Sequence, residues 1–273
     1  AWLRNRPNEL APQAAVIRGL VAATAANAAV RLLIVGCSIG RGNADALSDI
    51  DMYVGVTDGD WVAGLPAIDA ALAGIGEILD LHHQFLSDAK GATYRHTFVE
   101  YRDGVQIDLA VSPAPASRAP DRDWVVLYDP DHPIVGEPQE KPTSEEQVRT
   151  WMFGGLVRLS ATAKYLTRGS LWEALAALDS ARGDLWRLWA VVIGAPDPQY
   201  GLTAVLDVSR ARLPAGIERT IASLDRARIL DASIACLDLL TSVWVEVGRG
   251  QSMPPLARRV RAQLSGAGRA DPP

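Results

Sequence analysis

The sequence predicts an α+β protein: a mixed sheet domain with helices over residues 1–140, then an all-α helical bundle over 141–273. Three observations predict it. Strand-like and helix-like periods interleave up to about residue 111, prolines crowd the stretch from Ser112 to Pro142, and everything beyond that stretch has a helical period. At 273 residues the chain is long enough for one large or two modest domains, and the prolines at 113, 115, 120, 130, 133, 138 and 142 mark the boundary near residue 140.

Taken in order, residues 8–29 read as an Ala-rich helix, and Leu32-Leu33-Ile34-Val35 as a buried strand. Gly36 to Asn43 is too rich in Gly and Asn for regular structure, which predicts an irregular loop. Asp49 to Val56 alternates polar and apolar residues, the period of a half-buried strand, so Asp49 and Asp51 share a face. Trp61 to Ile75 has helical spacing, and Ile78 to Phe85 reads as a strand. Thr93–Tyr101 and Val105–Val111 flank Asp103-Gly104, which predicts a hairpin with a two-residue turn. In that register Tyr101 faces Gln106 and Val99 faces Asp108, and Glu100 falls on the side of Ile107. Trp124 to Tyr128 is a last short strand. Thr143 and Glu146 predict a capping box, and helices are expected over 144–167, 170–192, 198–212, 215–223, 226–248 and 255–265.

Composition narrows function. The 27 Lys plus Arg against 32 Asp plus Glu, a net charge of −5, argue against a nucleic-acid partner. Cys37 and Cys236, the only cysteines, support neither a disulfide framework nor a Cys-based zinc site, so a cytoplasmic setting is expected. Ala14 to Val30 is broken by Arg18 and Asn27, which predicts neither a signal peptide nor a membrane span there, and no membrane partner.

Chemistry concentrates around residues 36–51. Two carboxylates as close as Asp49 and Asp51 repel unless a cation sits between them, and Mg²⁺ binds one or two carboxylates together with phosphate oxygens. Upstream, Gly36, Gly40 and Gly42 would let backbone approach a phosphate, with the Ser38 hydroxyl and the Arg41 guanidinium as ligands. A phosphate cradle followed by a metal pair points to a nucleoside triphosphate. The hairpin offers a third carboxylate, Asp108, on the face of Gln106 and Ala110, while Ile107, Leu109 and Val111 take the core.

Cys37-Ser38 through Gly42, Ala44-Asp45 and Ser48-Asp49-Ile50-Asp51, with ten residues between Ser38 and Asp49, resembles the signature of the DNA polymerase beta type nucleotidyltransferase superfamily. Asp108 matches the place of that superfamily's third carboxylate. Arg168-Gly169, Trp172, Ala174-Leu175, Ala181-Arg182, Leu185 and Leu188 resemble a helix of the aminoglycoside adenylyltransferases, the antibiotic-resistance branch. The resemblance implies a nucleotidyltransferase-fold domain and a helical acceptor-binding domain. It implies transfer of a nucleoside monophosphate, AMP from ATP or its equivalent from another triphosphate, to a hydroxyl of a small acceptor such as an aminoglycoside-like antibiotic, with release of pyrophosphate. Asp49, Asp51 and Asp108 would be the catalytic, Mg²⁺-holding residues, and Lys164 would reach a phosphate. The general base stays open between Asp108, acting through the metal, and another carboxylate. Where the family has Gly before the serine, this chain has Cys37.

Other readings stand beside this one. The same fold could adenylylate a partner protein, as toxin–antitoxin transferases do, or bind nucleotide without turnover. Gly36-Cys37-Ser38-Ile39-Gly40 is also a literal G-x-S-x-G nucleophile elbow, which requires a helix directly after Ser38, where Arg41-Gly42-Asn43 predicts none. His82 and His83, adjacent on a strand, point to opposite faces, and His96 and His132 show no partners. The tryptophans of the second half are expected mostly in its core, and Glu145, Glu146, Glu173, Asp179 and Asp184 as an acidic wall for a cationic acceptor.

Overall fold

A computed structural model of the chain describes residues 8–57, 59, 61–87, 91–115, 120–137, 142–208, 213–248 and 250–268. Two compact units divide it, Ala1–Glu140 and Lys141–Pro273. The expected boundary near residue 140 lies outside the described residues.

The first unit is built on a six-stranded sheet. Helix α1 (Ala11–Ala25) leads into β1 (Val30–Val35), a short helix α2 (Cys37–Arg41) and β2 (Ile50–Val56). Then come α3 (Leu65–Ile75), β3 (Ile78–Ser87), β4 (Thr93–Tyr101), β5 (Gln106–Pro113) and β6 (Val125–Tyr128). The sheet order is β3-β4-β5-β2-β1-β6, with β2 and β5 the parallel pair and the other neighbours antiparallel. Ile50, Met52, Val99, Tyr101, Ile107 and Leu109 form one face and are buried with Ile17 and Leu20 of α1 and Leu72 of α3. Side-chain bonds lock α3 to this face: the Tyr101 hydroxyl donates to the Leu72 carbonyl at 2.8 Å, and Arg95 forks onto Asp69 at 2.6 and 3.0 Å. Alternation then turns the residues between them, Asp51 and Asp108 among them, to the opposite face.

Several expectations need correction in this unit. The helix expected over 8–29 is a turn at Asn8–Leu10 followed by α1, which stops where the Asn27 side chain accepts from the Ala29 amide at 2.9 Å. The helix expected from Trp61 begins as a turn at Trp61–Gly64, and α3 starts at Leu65, with a proline in its first turn where no amide partner is required. Residues 36–43 are not wholly irregular, because α2 occupies most of them. The hairpin loop has three residues rather than two: Glu100 pairs with Gln106, Phe98 with Asp108, and the Tyr101 amide donates to Val105 O. Gly104, at φ +87°, provides the left-handed residue that closes a three-residue loop. The one-residue change of register puts Glu100 beside Gln106, whose amide donates to it at 2.6 Å, and on the face of Asp108 rather than of Ile107.

The second unit is helical: α4 (Glu145–Thr167), α5 (Leu171–Val192), α6 (Leu202–Val208), α7 (Arg226–Val247) and α8 (Pro255–Ala267). Met152, Leu156 and Leu159 of α4, Leu178, Leu185 and Leu188 of α5, Cys236 and Leu240 of α7 and Leu264 of α8 make its core. The cap of α4 is Ser144, whose hydroxyl accepts from the Gln147 amide at 3.1 Å, so the expected Thr143–Glu146 box is displaced by one residue. Arg226 donates to Leu166 O and Ala267 O at 2.8 and 2.6 Å, satisfying carbonyls at the ends of α4 and α8. Of the helix expected over 198–212, the structure describes a turn at Pro198–Tyr200 and α6, and residues 209–212 lie outside the described residues. The expected 215–223 helix is a single turn, Ile217–Thr220. Trp244 is buried and Trp151 and Trp189 pack on the core, but Trp172 is 73% exposed. None of the described helices is long and apolar enough to cross a membrane.

Candidate active site

The site lies in the first unit, where the β1–α2–β2 segment meets β5. Asp51 and Asp108 are in direct register on the parallel pair, so their Cα atoms are about 4.8 Å apart and both side chains leave the same face. Asp49 stands one residue before β2. Gln13, buried on α1, fixes the approach to it by donating to Ala46 O at 3.1 Å and Ser48 O at 3.2 Å. Asp45 and Ser48 tie the same loop internally: Asp45 accepts from the Leu47 amide at 3.0 Å, and the Ser48 hydroxyl from the Asp45 amide at 3.0 Å.

The turn out of β1 is tightly built. The Gly36 amide donates to Asp51 O at 3.0 Å, which seats α2 directly beside the carboxylates. Cys37 has φ +49°, the left-handed region that favours glycine. Gly42 ends α2 at φ +86°. A Cβ on Gly40 would meet the backbone carbonyl oxygen of Asp123 at 1.7 Å, so the space beside Gly40 is filled by the protein's own backbone rather than left for a phosphate. The Asp123 carboxylate accepts from the Cys37 amide at 3.2 Å and faces Arg41 Nη1 at 3.4 Å. Asp123 escaped the sequence reading, since nothing in a proline-crowded stretch marks it as a partner of a turn some 86 residues away.

Electrostatics single out Asp51. Burial raises its carboxyl above the usual range, the nearby Asp49 and Asp108 charges push it further, and the Cys37 thiol, which donates to it, and Arg41 oppose the rise. The Cys37 thiol is pushed up to about 12 by burial, then by the Asp51 carboxylate that accepts its proton, so it stays a thiol and a donor. His96, expected to lack a partner, places Nε2 2.5 Å from Asp108 Oδ1. Among the described residues no group of three or more His, Cys, Asp or Glu side chains is arranged to hold a metal ion. One Asp108 oxygen is engaged by His96, and the Asp51 carboxylate accepts from Cys37.

Of the sequence-derived candidates, the structure brings together Asp49, Asp51, Asp108 and Arg41 electrostatically, and sets Gly36, Ser38, Gly40 and Gly42 in or at the ends of α2 beside them. Lys164 lies in the second unit, exposed on α4, with its ammonium 4.3 Å from the centre of the Tyr165 ring. Asp184 does not belong to an acidic wall: it is 3% exposed and ion-paired with Arg158 and Arg187. Asp179 pairs with Arg182, and Glu173 with the Ser170 hydroxyl at 2.5 Å. Strand β1 followed by α2 does satisfy the strand–turn–helix form of a nucleophile elbow, contrary to expectation. That helix has only five residues, and among the described residues no histidine is bonded to Ser38.

No family model matches the chain, and no curated protein matches it. Among solved structures the chain is similar to an aminoglycoside 6-adenyltransferase from Bacillus subtilis, with 15% identity over 96% of this chain and 99% of that one and a TM-score of 0.42.

Proposed function

We propose that the chain is a Mg²⁺-dependent nucleotidyltransferase that moves a nucleoside monophosphate, AMP from ATP, onto a hydroxyl of a small acceptor and releases pyrophosphate. The observation that carries the reading is the register of Asp51 with Asp108 on adjacent parallel strands, with Asp49 and the Ser38–Arg41 turn beside them. By chemistry rather than by present arrangement the donors suit a hard divalent cation: three carboxylates, of which Asp51 is held above its ordinary range first by burial and then by the Asp49 and Asp108 charges, a repulsion that a cation would remove.

Asp49 and Asp51 would hold two ions between them, with Asp108 on the one nearer the acceptor. Held there, divalent cations would supply charge neutralisation for an in-line displacement. The acceptor oxygen forms a bond to the α-phosphorus, the bond from that phosphorus to the bridging oxygen breaks, and the acceptor proton passes to a carboxylate of the site or to water. Arg41, already within 3.4 Å of Asp123, offers a guanidinium to the departing pyrophosphate, and Ser38 offers a hydroxyl. Small hydroxylated acceptors of the aminoglycoside kind, and a cytoplasmic setting, follow from the motif resemblance of residues 168–188 and from the cysteine usage.

Incubation with ATP, Mg²⁺ and a panel of polyhydroxylated acceptors should release pyrophosphate, and the double substitution Asp49→Ala with Asp51→Ala should abolish the release. An unchanged rate in the double variant overturns the mechanism.

A further inference from the structure

Three side chains line up across three strands toward the proposed centre. On β4, His96 pairs with Ala110 and Phe98 with Asp108, so His96 and Asp108 leave the same face as diagonal neighbours. On the far side of His96, its β3 partner Gln84 brings Nε2 to 3.3 Å from Nδ1. An amide nitrogen only donates, so Nδ1 accepts and the ring proton of a neutral imidazole sits on Nε2, facing Asp108 Oδ1 at 2.5 Å. Both side chains of that bond are partly open, His96 at 23% and Asp108 at 40% exposure. Burial therefore does not force the pair together, and the imidazole has a fixed direction because both of its nitrogens are bonded.

We infer that His96 is a positioning residue for Asp108: its Nε2–H holds one carboxylate oxygen, orients the group and leaves the other oxygen for a divalent cation. The inference rests on the nucleotidyltransferase reading, which supplies the cation. An aspartate without such a partner rotates about two side-chain bonds, and fixing them at the moment of binding weakens the site. Loss of an outer-shell hydrogen bond of this kind typically costs about 10–100-fold in metal affinity or activity. Gln84 acts one step further out, through the ring.

The test uses the full chain with Mn²⁺ as the probe, bound ion being measured by the electron paramagnetic resonance signal of free Mn²⁺ alongside pyrophosphate release. His96→Leu should weaken Mn²⁺ binding by about 10–100-fold and raise the half-saturating Mg²⁺ concentration in turnover by a similar factor, with the KM for ATP unchanged at saturating metal. His96→Gln, whose amide can still donate, should recover part of the affinity, and Gln84→Leu should show a smaller loss. In an Asp108→Asn background His96→Leu should change Mn²⁺ binding no further. Wild-type affinity in His96→Leu, or full additivity with Asp108→Asn, overturns the positioning role and leaves the function reading intact. A wild-type chain that binds no Mn²⁺ overturns both. Should His96→Leu unfold, His96→Gln and Gln84→Leu decide: equal and undiminished affinity in the two overturns the inference.

Discussion

Gly40→Ala puts the construction of the α2 turn to a quantitative test. An ideal Cβ at residue 40 would lie 1.7 Å from the Asp123 carbonyl oxygen, 2.9 Å from its carbonyl carbon and 3.3 Å from Val35 O, all backbone atoms. Carbon–oxygen contacts settle near about 3.3–3.6 Å, so the Asp123 segment must retreat by roughly 1.6 Å. That retreat removes the Asp123 carboxylate from the Cys37 amide and from Arg41, now at 3.2 and 3.4 Å. Overpacking of this kind costs about 1–3 kcal/mol, and the stretched bonds to a charged acceptor add about 2. Better helix propensity returns about 0.5–1. The net is a loss of about 2–4 kcal/mol, which at an m-value of about 2 kcal/mol/M moves the urea midpoint of the first unit down by about 1–2 M. Hydrogen exchange read by mass spectrometry should assign the loss to peptides of β1, α2 and β2 and leave α4, α5 and α7 as protected as before. Gly74→Ala on α3 is the control, since nothing lies within 4 Å of its ideal Cβ, and it should gain about 0.5–1 kcal/mol. A Gly40→Ala chain with an unchanged midpoint would refute the close approach of Asp123 to α2.

The strain at Cys37, φ +49°, predicts that Cys37→Gly is more stable than Cys37→Ala by about 0.5–1 kcal/mol, the left-handed penalty of about 1–2 less the added chain entropy of glycine. Both variants lose the thiol, so the difference between their urea midpoints isolates the backbone, and the reverse order would remove the strain argument. Asp184 titrates above the usual carboxylate range because burial outweighs the opposing charges of Arg158 and Arg187. A raised folded pKa means its contribution is fully present below the unfolded value and is lost as pH rises through the folded one. The melting temperature of Asp184→Asn relative to wild type should therefore rise between acid and neutral pH, and a fall would show that the two arginines win.

Much of the first unit is legible because one face is dry. Alternation at Ile50–Val56 and Gln106–Pro113 admits only registers that bury Ile50, Met52, Ile107 and Leu109, and any of these carries Asp51 and Asp108 to the other face together. Turn chemistry is less decisive. Asp103-Gly104 serves equally as a two-residue loop or as the end of a three-residue loop with Gly104 left-handed, and the two differ by one residue in register. The hydrophobic pattern chooses the second, since it alone lets Val99, Ile107 and Tyr101 bury together. The whole length of β4 then reads correctly, Glu100 moves to the carboxylate face, and His96 arrives two places along from the residue opposite Asp108.

The groups that hold the carboxylates carried no local signal, and the reason is physical. Spacing along a chain reports which residues share a face, as it does for Asp49 and Asp51, but a hydrogen bond across strands reports only once the register is known. Asp123 reaches the Cys37 amide from the segment before β6, and His96 reaches Asp108 across the hairpin. Gln13 holds the carbonyls just before Asp49 from α1. Each is a side chain of ordinary type in an ordinary sequence context, and each acts on a residue that the motif does mark. Two of them bear directly on charge. Asp51 and Asp108 each accept from a donor outside the carboxylate set, Cys37 and His96 respectively, while burial first, and then the Asp49 and Asp108 charges, keep Asp51 above its usual range. The Cys37 hydrogen bond therefore does not cancel burial and the neighbouring charges at Asp51, and a divalent cation at this face would relieve the charge part.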